Sequence, residues 1–296
     1  MKRRVGAVRR RLLAGAFFWA CCLGSAVASA QSVVLSYGTD SGPYGEALAG
    51  FRSVFVDSIA RVDFGGAGVE LPPQTRVVAA FGEDAVIARY PGTAALVYCM
   101  ASGVFPAADM RRQVVRVEML PSAEKALRKM KEFQPSLFKL AVFWSSKSMD
   151  PYAEMLREAG SRAGIQVSFI KVARVGDLPD RLRKHKGGFD GFWLLPDSRL
   201  VDAEAMTILK NFSRAGKIPF YGPAVSLADK GPSATIGVGF REVGRSAAKS
   251  VQAILDGQDV PPMVFPEAVE TVLSRSGAEA VGLWERASEK ADRIVP

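Results

Sequence analysis

Histidine and cysteine are almost missing from this 296-residue chain, which has one of the first and three of the second. That scarcity excludes a His/Cys metal cluster. A Ser-His-Asp triad would have to use His185, which lies in the basic stretch Arg181-Leu-Arg-Lys-His-Lys-Gly-Gly188, a solvent-facing helix end where positive charge suits the dipole. Cys21 and Cys22 fall in the opening segment, and Cys99 stands alone in the apolar run Ala94–Met100. Cys99 therefore reads as a small buried hydrophobe, and no internal disulfide is expected. No Gly-Lys-Ser/Thr phosphate loop occurs, and Gly237-Val-Gly239 followed by Gly244 misses the dinucleotide spacing. No cofactor and no metal are expected. A carboxylate pair stays open, although no local spacing points to one.

An excess of positive charge is also missing once the first 30 residues are set aside. Six of the 39 Lys and Arg residues and none of the 30 acids lie there, so the remaining chain carries only +3. The basic balance of the whole sequence is thus no argument for nucleic-acid binding. Those 30 residues open with Lys2, Arg3, Arg4 and Arg9 to Arg11, continue as an apolar run from Leu12 to Val27, and end in Ala28-Ser29-Ala30. This is the pattern of a secretory signal peptide, and cleavage after Ala30 and a periplasmic location are expected. The alternative is an uncleaved anchor; Phe18-Trp19-Ala20-Cys21 makes a poor lipidation box. No later stretch is long and apolar enough to span a bilayer.

What the chain has in quantity is apolar surface, 48% of residues against 23% charged, ample for real cores. Short β-rich runs alternate with helical patterns. The spacing predicts strands at 32–37, 76–81, 94–100, 113–119, 138–144, 165–171, 189–195, 218–221 and 235–239. It predicts helices from Pro43 to Ile59, at 83–89 and 121–133, from Pro151, and at 175–184, 202–215 and 242–255. Such alternation means parallel sheets covered by helices. There are too many strands for one compact sheet, so two βαβ lobes are expected, with the first switch near residue 118.

In such sheets ligands bind beyond the carboxyl ends of the strands. Those positions hold Asp40, Ser41 and Tyr44; Gly82; Ser102; Ser145 and Ser146; Asp197; and the end of the strand that contains Tyr221. Hydroxyls, a few carboxylates and aromatic walls suit a small polar ligand. Each acid or hydroxyl could instead cap a helix. Asp197, in Leu195-Pro-Asp-Ser198, could cap the helix from Asp202 or grip a ligand, and nothing near it suits acid–base work.

Residues 138 to 284 resemble the second lobe of ABC-transporter substrate-binding proteins, in the group with tryptophan- and tyrosine-type uptake proteins. The stretches "KLAVFWSSKSMDPYAEMLREAGSRAGIQVSFIKV", "FDGFWLLPDSRLVDAEAMTIL", "GKIPFYGPAVSLADKGPSATIGVGFREVGRSAAKSVQAILDG" and "VLSRSGAEAVGL" carry the likeness. The first lobe matches at "VVLSYGTDSGPYGEALAGFRSVF" and "TRVVAAFGEDAVIA". Region 101–120, "ASGVFPAADMRRQVVRVEML", lacks the Gly- and Asn-rich loop of many relatives. The resemblance implies an α/β fold of the type I periplasmic binding protein kind, two Rossmann-like lobes with parallel sheets and a multi-strand hinge whose third pass lies near Pro262 to Pro266. It implies a signal peptide at 1–30, lobe 1 at 31–117 plus about 240–264, and lobe 2 at 118–239 plus about 265–296. It further implies a monomeric, non-enzymatic carrier that closes on a small polar ligand, amino-acid-like or a carboxylate, and hands it to a membrane permease. Carried over by position, the ligand-facing residues are Asp40, Ser41, Tyr44, Gly82, Ser102, Ser145, Ser146, Asp197 and Tyr221. A sensor module on the same fold and an exported two-lobed enzyme are the alternatives.

Overall fold

Runs of buried apolar residues set the frame. In the computed structural model, residues 32–56, 59–62, 69–101, 103–106 and 112–296 are described. Every residue of β1 (Val33–Tyr37) and β3 (Val77–Phe81) is buried, as strands covered on both faces must be. With α1 (Gly42–Arg52), β2 (Ile59–Val62), α2 (Glu83–Ile87), β4 (Ala95–Cys99) and β5 (Val114–Val117) they form the first half. After β5 the chain leaves for α3 (Ala123–Phe133), β6 (Lys139–Trp144), α4 (Asp150–Ala163), β7 (Gln166–Lys171), α5 (Leu178–Lys184), β8 (Gly191–Leu194), α6 (Ala203–Gly216), β9 (Phe220–Gly222) and β10 (Ala234–Gly237). It returns through α7 (Phe240–Leu255) and β11 (Met263–Val264), then leaves again for β12 (Glu270–Ser274), α8 (Arg275–Ala280), α9 (Trp284–Ala287) and β13 (Arg293–Val295).

Among the described residues these strands make two sheets. The first runs β11-β5-β4-β3-β1-β2 and the second β13-β12-β10-β9-β8-β6-β7. All pairs are parallel except β10 with β12. The expected α/β architecture of two mainly parallel sheets is therefore what forms. Both sheets lie in one compact unit, Gln31–Pro296. Alternate residues feed opposite cores: Val33, Leu35 and Tyr37 face α1 and α7, while Val78 and Ala80 face α2. The second sheet is filled likewise, with Leu140, Val142 and Trp193 toward α3 and α4 and Phe143, Phe192 and Leu194 toward α5 and α6. Among the described residues, no helix is long and apolar enough to cross a membrane.

The return helix α7 is anchored by a backbone-to-backbone approach that only glycine permits. A Cβ at Gly244 would lie 1.8 Å from the carbonyl oxygen of Ala47 on α1, and one at Gly50 would lie 1.9 Å from that of Arg241 on α7. The two helices thus pack closer than side chains would allow.

Two parts of the chain depart from expectation. The helix from Pro43 ends at Arg52, not Ile59, because Ser53 closes its last turn and Phe55 turns back against Phe51, ring centroids 5.8 Å apart. Ile59–Val62 is instead an edge strand on β1. The strands β12 and β13 carried no expectation. β12 reaches the second sheet from β11 in the first, not through a covering helix of its own sheet. The βαβ rule of parallel direction does not bind it, and it runs antiparallel.

Candidate functional site

Tyr44 and Gly82 come together on the first sheet's carboxyl edge. They line a cleft of about 320 Å³ with Gly38, Thr39, Phe81 and Glu83. Gly82 takes φ +96°, and a Cβ there would lie 2.8 Å from the Tyr44 ring. Asp40 and Ser41 are exposed beside the cleft without lining it. The Ser41 hydroxyl pairs with Thr39 Oγ1 at 2.9 Å, and the residue precedes α1 without a side-chain cap bond. Ser102 lies outside the described residues.

On the second sheet, Ser145, Ser146 and Asp197 form one knot. Asp197 is 1% exposed. Its Oδ2 accepts the backbone N–H groups of Ser145 at 2.8 Å and Ser146 at 2.5 Å, and its Oδ1 accepts that of Arg199 at 3.0 Å. Burial pushes this carboxyl upward, but the backbone donors of Ser146, Ser145 and Arg199 more than offset it. The group stays below the ordinary aspartate range. Asp197 is thus a latch between the loops after β6 and β8. Capping that helix, one of the two roles open to Asp197, belongs to Asp202, whose Oδ1 accepts from Ala205 N at 2.7 Å.

Tyr221 goes elsewhere. Its ring is 0% exposed in the core under α3, and its hydroxyl donates to Gln134 Oε1 at 3.1 Å. Tyr221 pairs in register with Trp193 on β8, and its ring leans back from the strand ends to lie 3.4 Å from a Cβ built on Gly191, where β8 begins. Strand position marked it as ligand-facing, but register and side-chain direction put it in the core.

Between the two sheets lie two small cavities, about 30 and 90 Å³, that no single-sheet reading anticipates. Both are lined by Arg116, Glu118 and Leu120 from the first crossing and by Met149 from the start of α4. Tyr98 and Pro196 join the smaller one, and Phe105, Tyr152 and Met263 the larger. Across this gap a Cβ on Gly103 would lie 3.2 Å from Ser148 Oγ. Met100, at the end of β4, holds φ +58°, a left-handed backbone that costs a non-glycine residue about 1–2 kcal/mol. Its side chain lines the smaller cavity. Sequence reasoning passed over Arg116. The available signal was a lone charge inside the apolar strand Val114-Val-Arg-Val117, next to the crossing.

Among the described residues no group of three or more His, Cys, Asp or Glu side chains could hold a metal. Cys99 is fully buried, and burial pushes its thiol well above the ordinary range.

Residues 112–283 match the family model for "ABC transporter substrate binding protein". The chain belongs to that family. Solved structures agree in fold with this substrate-binding protein. A ligand-free, open substrate-binding protein with adhesive properties from Clostridium difficile aligns at 16% identity and TM-score 0.65, covering 90% of this chain and 99% of that one. The ABC domain in complex with L-Trp from Streptococcus pneumonia aligns at 14% identity and TM-score 0.55, over 89% and 99%. A solute-binding protein from Agrobacterium vitis with bound D-fucose aligns at 12% and TM-score 0.50, over 83% and 96%. No curated protein matches the chain. The family has a non-enzymatic, ligand-carrying role alongside an ABC permease. The type I periplasmic binding protein architecture expected from sequence is the architecture found.

Proposed function

We propose that this chain is an exported substrate-binding protein that captures a small polar ligand between two lobes by hinge closure and delivers it to an ABC permease. The observation that carries the reading is the pair of cavities lined jointly by both sheets, with Arg116 and Glu118 on one side and Met149 on the other. Three chain crossings, after β5, after β10 and after β11, are the hinge of this proposal. Its lobes are 31–117 with about 240–264, and 118–239 with about 265–296, behind a signal peptide at 1–30. That leader and the family support a periplasmic location, and in this proposal the working form is a monomer without catalytic activity.

Within this scheme Tyr44 and Gly82 offer a ring and a backbone edge from the first lobe, with Asp40 and Ser41 on the rim. Ser145 and Ser146 are offered by the second lobe and oriented by Asp197. Tyr221 supports the core from behind. Relatives of this fold hold L-Trp in one case and D-fucose in another, so fold alone leaves the ligand open. Native mass spectrometry of protein purified without denaturation tests the reading directly. One small molecule per chain is expected, together with a smaller radius of gyration in solution scattering when that molecule is present. Protein that carries nothing, and whose scattering is insensitive to its own cell's metabolite extract, would refute the proposal.

A further inference from the structure

Among the described residues, a buried charge pair lies in the gap between the sheets. Arg116 Nε and Nη2 donate to the two carboxylate oxygens of Glu118 at 2.8 and 3.1 Å, and the side chains keep only 14% and 10% exposure. A guanidinium has five N–H donors in a fixed planar fork. This pairing uses two, and the other three have no hydrogen-bond partner among the described residues. Arg116 lines both cavities, so the unused edge opens on the gap. The Phe105 ring sits 5.4 Å from Arg116 Cζ, and apolar walls come from Met100, Met119, Met149, Met155 and Met263. Thioether side chains adapt their shape to irregular apolar partners.

We propose that Arg116 is the anion anchor of the ligand site, and that the ligand class is a small monocarboxylate with an apolar body. This rests on the cleft being the ligand site, as proposed above. The free edge of the guanidinium takes the two carboxylate oxygens side by side. Glu118 holds the fork in orientation and offsets its charge when the cleft is empty. One added anionic group is well matched to three unused donors. A second would meet the Glu118 carboxylate. A neutral sugar would leave the fork's charge unanswered and its own hydroxyls against thioethers.

The test is calorimetric titration of the full chain with phenylacetate and hexanoate, with their amides, with succinate and with D-fucose. The expected order on the natural chain is monocarboxylate far above amide, succinate and sugar. Arg116→Gln should weaken both monocarboxylates by about 10- to 100-fold while leaving amide affinity unchanged, since a charge-assisted pair is lost and the apolar walls are not. Glu118→Gln should tighten monocarboxylates and admit succinate, a gain that damaged folding could not produce. Equal binding of acid and amide by the natural chain overturns the anchor without any variant. Preference for D-fucose, or unchanged affinity in Arg116→Gln, also overturns it but leaves the cleft as the ligand site. Silence toward every probe, in protein that also carries no co-purified molecule, removes both proposals together.

Discussion

Replacing Asp197 with Asn keeps the side chain's shape and removes its charge, so it isolates what the latch contributes. The carboxylate accepts three backbone N–H groups at 2.8, 2.5 and 3.0 Å from a site 1% exposed. A hydrogen bond to a charged partner contributes about 1.5–3 kcal/mol, and a buried donor left alone costs about 1–3 kcal/mol. The amide oxygen of Asn still accepts from one side, while its NH₂ faces the remaining N–H. Allowing for non-additivity, the loss is about 2–4 kcal/mol. For a chain of this size that is a fall in Tm of roughly 5–15 °C. The pH dependence adds a second constraint. The Asp197 carboxyl is held below its ordinary value in the folded chain, so the unfolded chain binds its proton more readily. Its stabilisation is complete above the unfolded pKa of about 3.9 and is lost as pH falls through the lower folded value. Thermal unfolding of both proteins between neutral pH and pH ~3 should therefore show a wide gap at neutrality that begins to narrow as pH falls below about 3.9. A gap below about 1 °C at neutral pH, or one that stays constant down to pH ~3, would refute the latch.

Gly244→Ala drives a methyl group into the Ala47 carbonyl, a 1.8 Å approach, and should cost about 1–3 kcal/mol or more in chemical denaturation; stability equal to the natural chain would contradict the packing. Tyr221→Phe gives up the bond to Gln134 Oε1 and should cost about 1–2 kcal/mol, with ligand affinity untouched; a drop in affinity with stability preserved would return Tyr221 to the cleft. Cys99 is buried with its thiol pushed far up, so Ellman's reagent at mildly alkaline pH should react only after denaturant is added; rapid labelling of native protein would contradict its burial.

Much of this protein is written in local pattern. Val33–Tyr37 and Val77–Phe81 are apolar throughout because parallel strands here are covered on both faces, and that alone separates them from the amphipathic helices between. Pro43 and Pro151 mark helix starts because a helix's first turn needs no N–H from them. What escaped were features set by partners distant in sequence. Ile59–Val62 and Glu270–Ser274 are strands because of the edges they meet, β1 and β10, and no periodicity in four or five residues records that.

The candidate site divides along the same line. Sequence determined that Ser145, Ser146 and Asp197 stand at strand ends, because strand length and the Pro196 break are local properties. Only the tertiary structure decided that Asp197 faces two N–H groups some fifty residues away and that Tyr221 turns into the core, since register sets which way each side chain points. The meeting of Arg116 with methionines of the other lobe is likewise tertiary. It depends on three passes of the chain between two sheets, and a charge in one strand carries no mark of what the opposite lobe will bring to it.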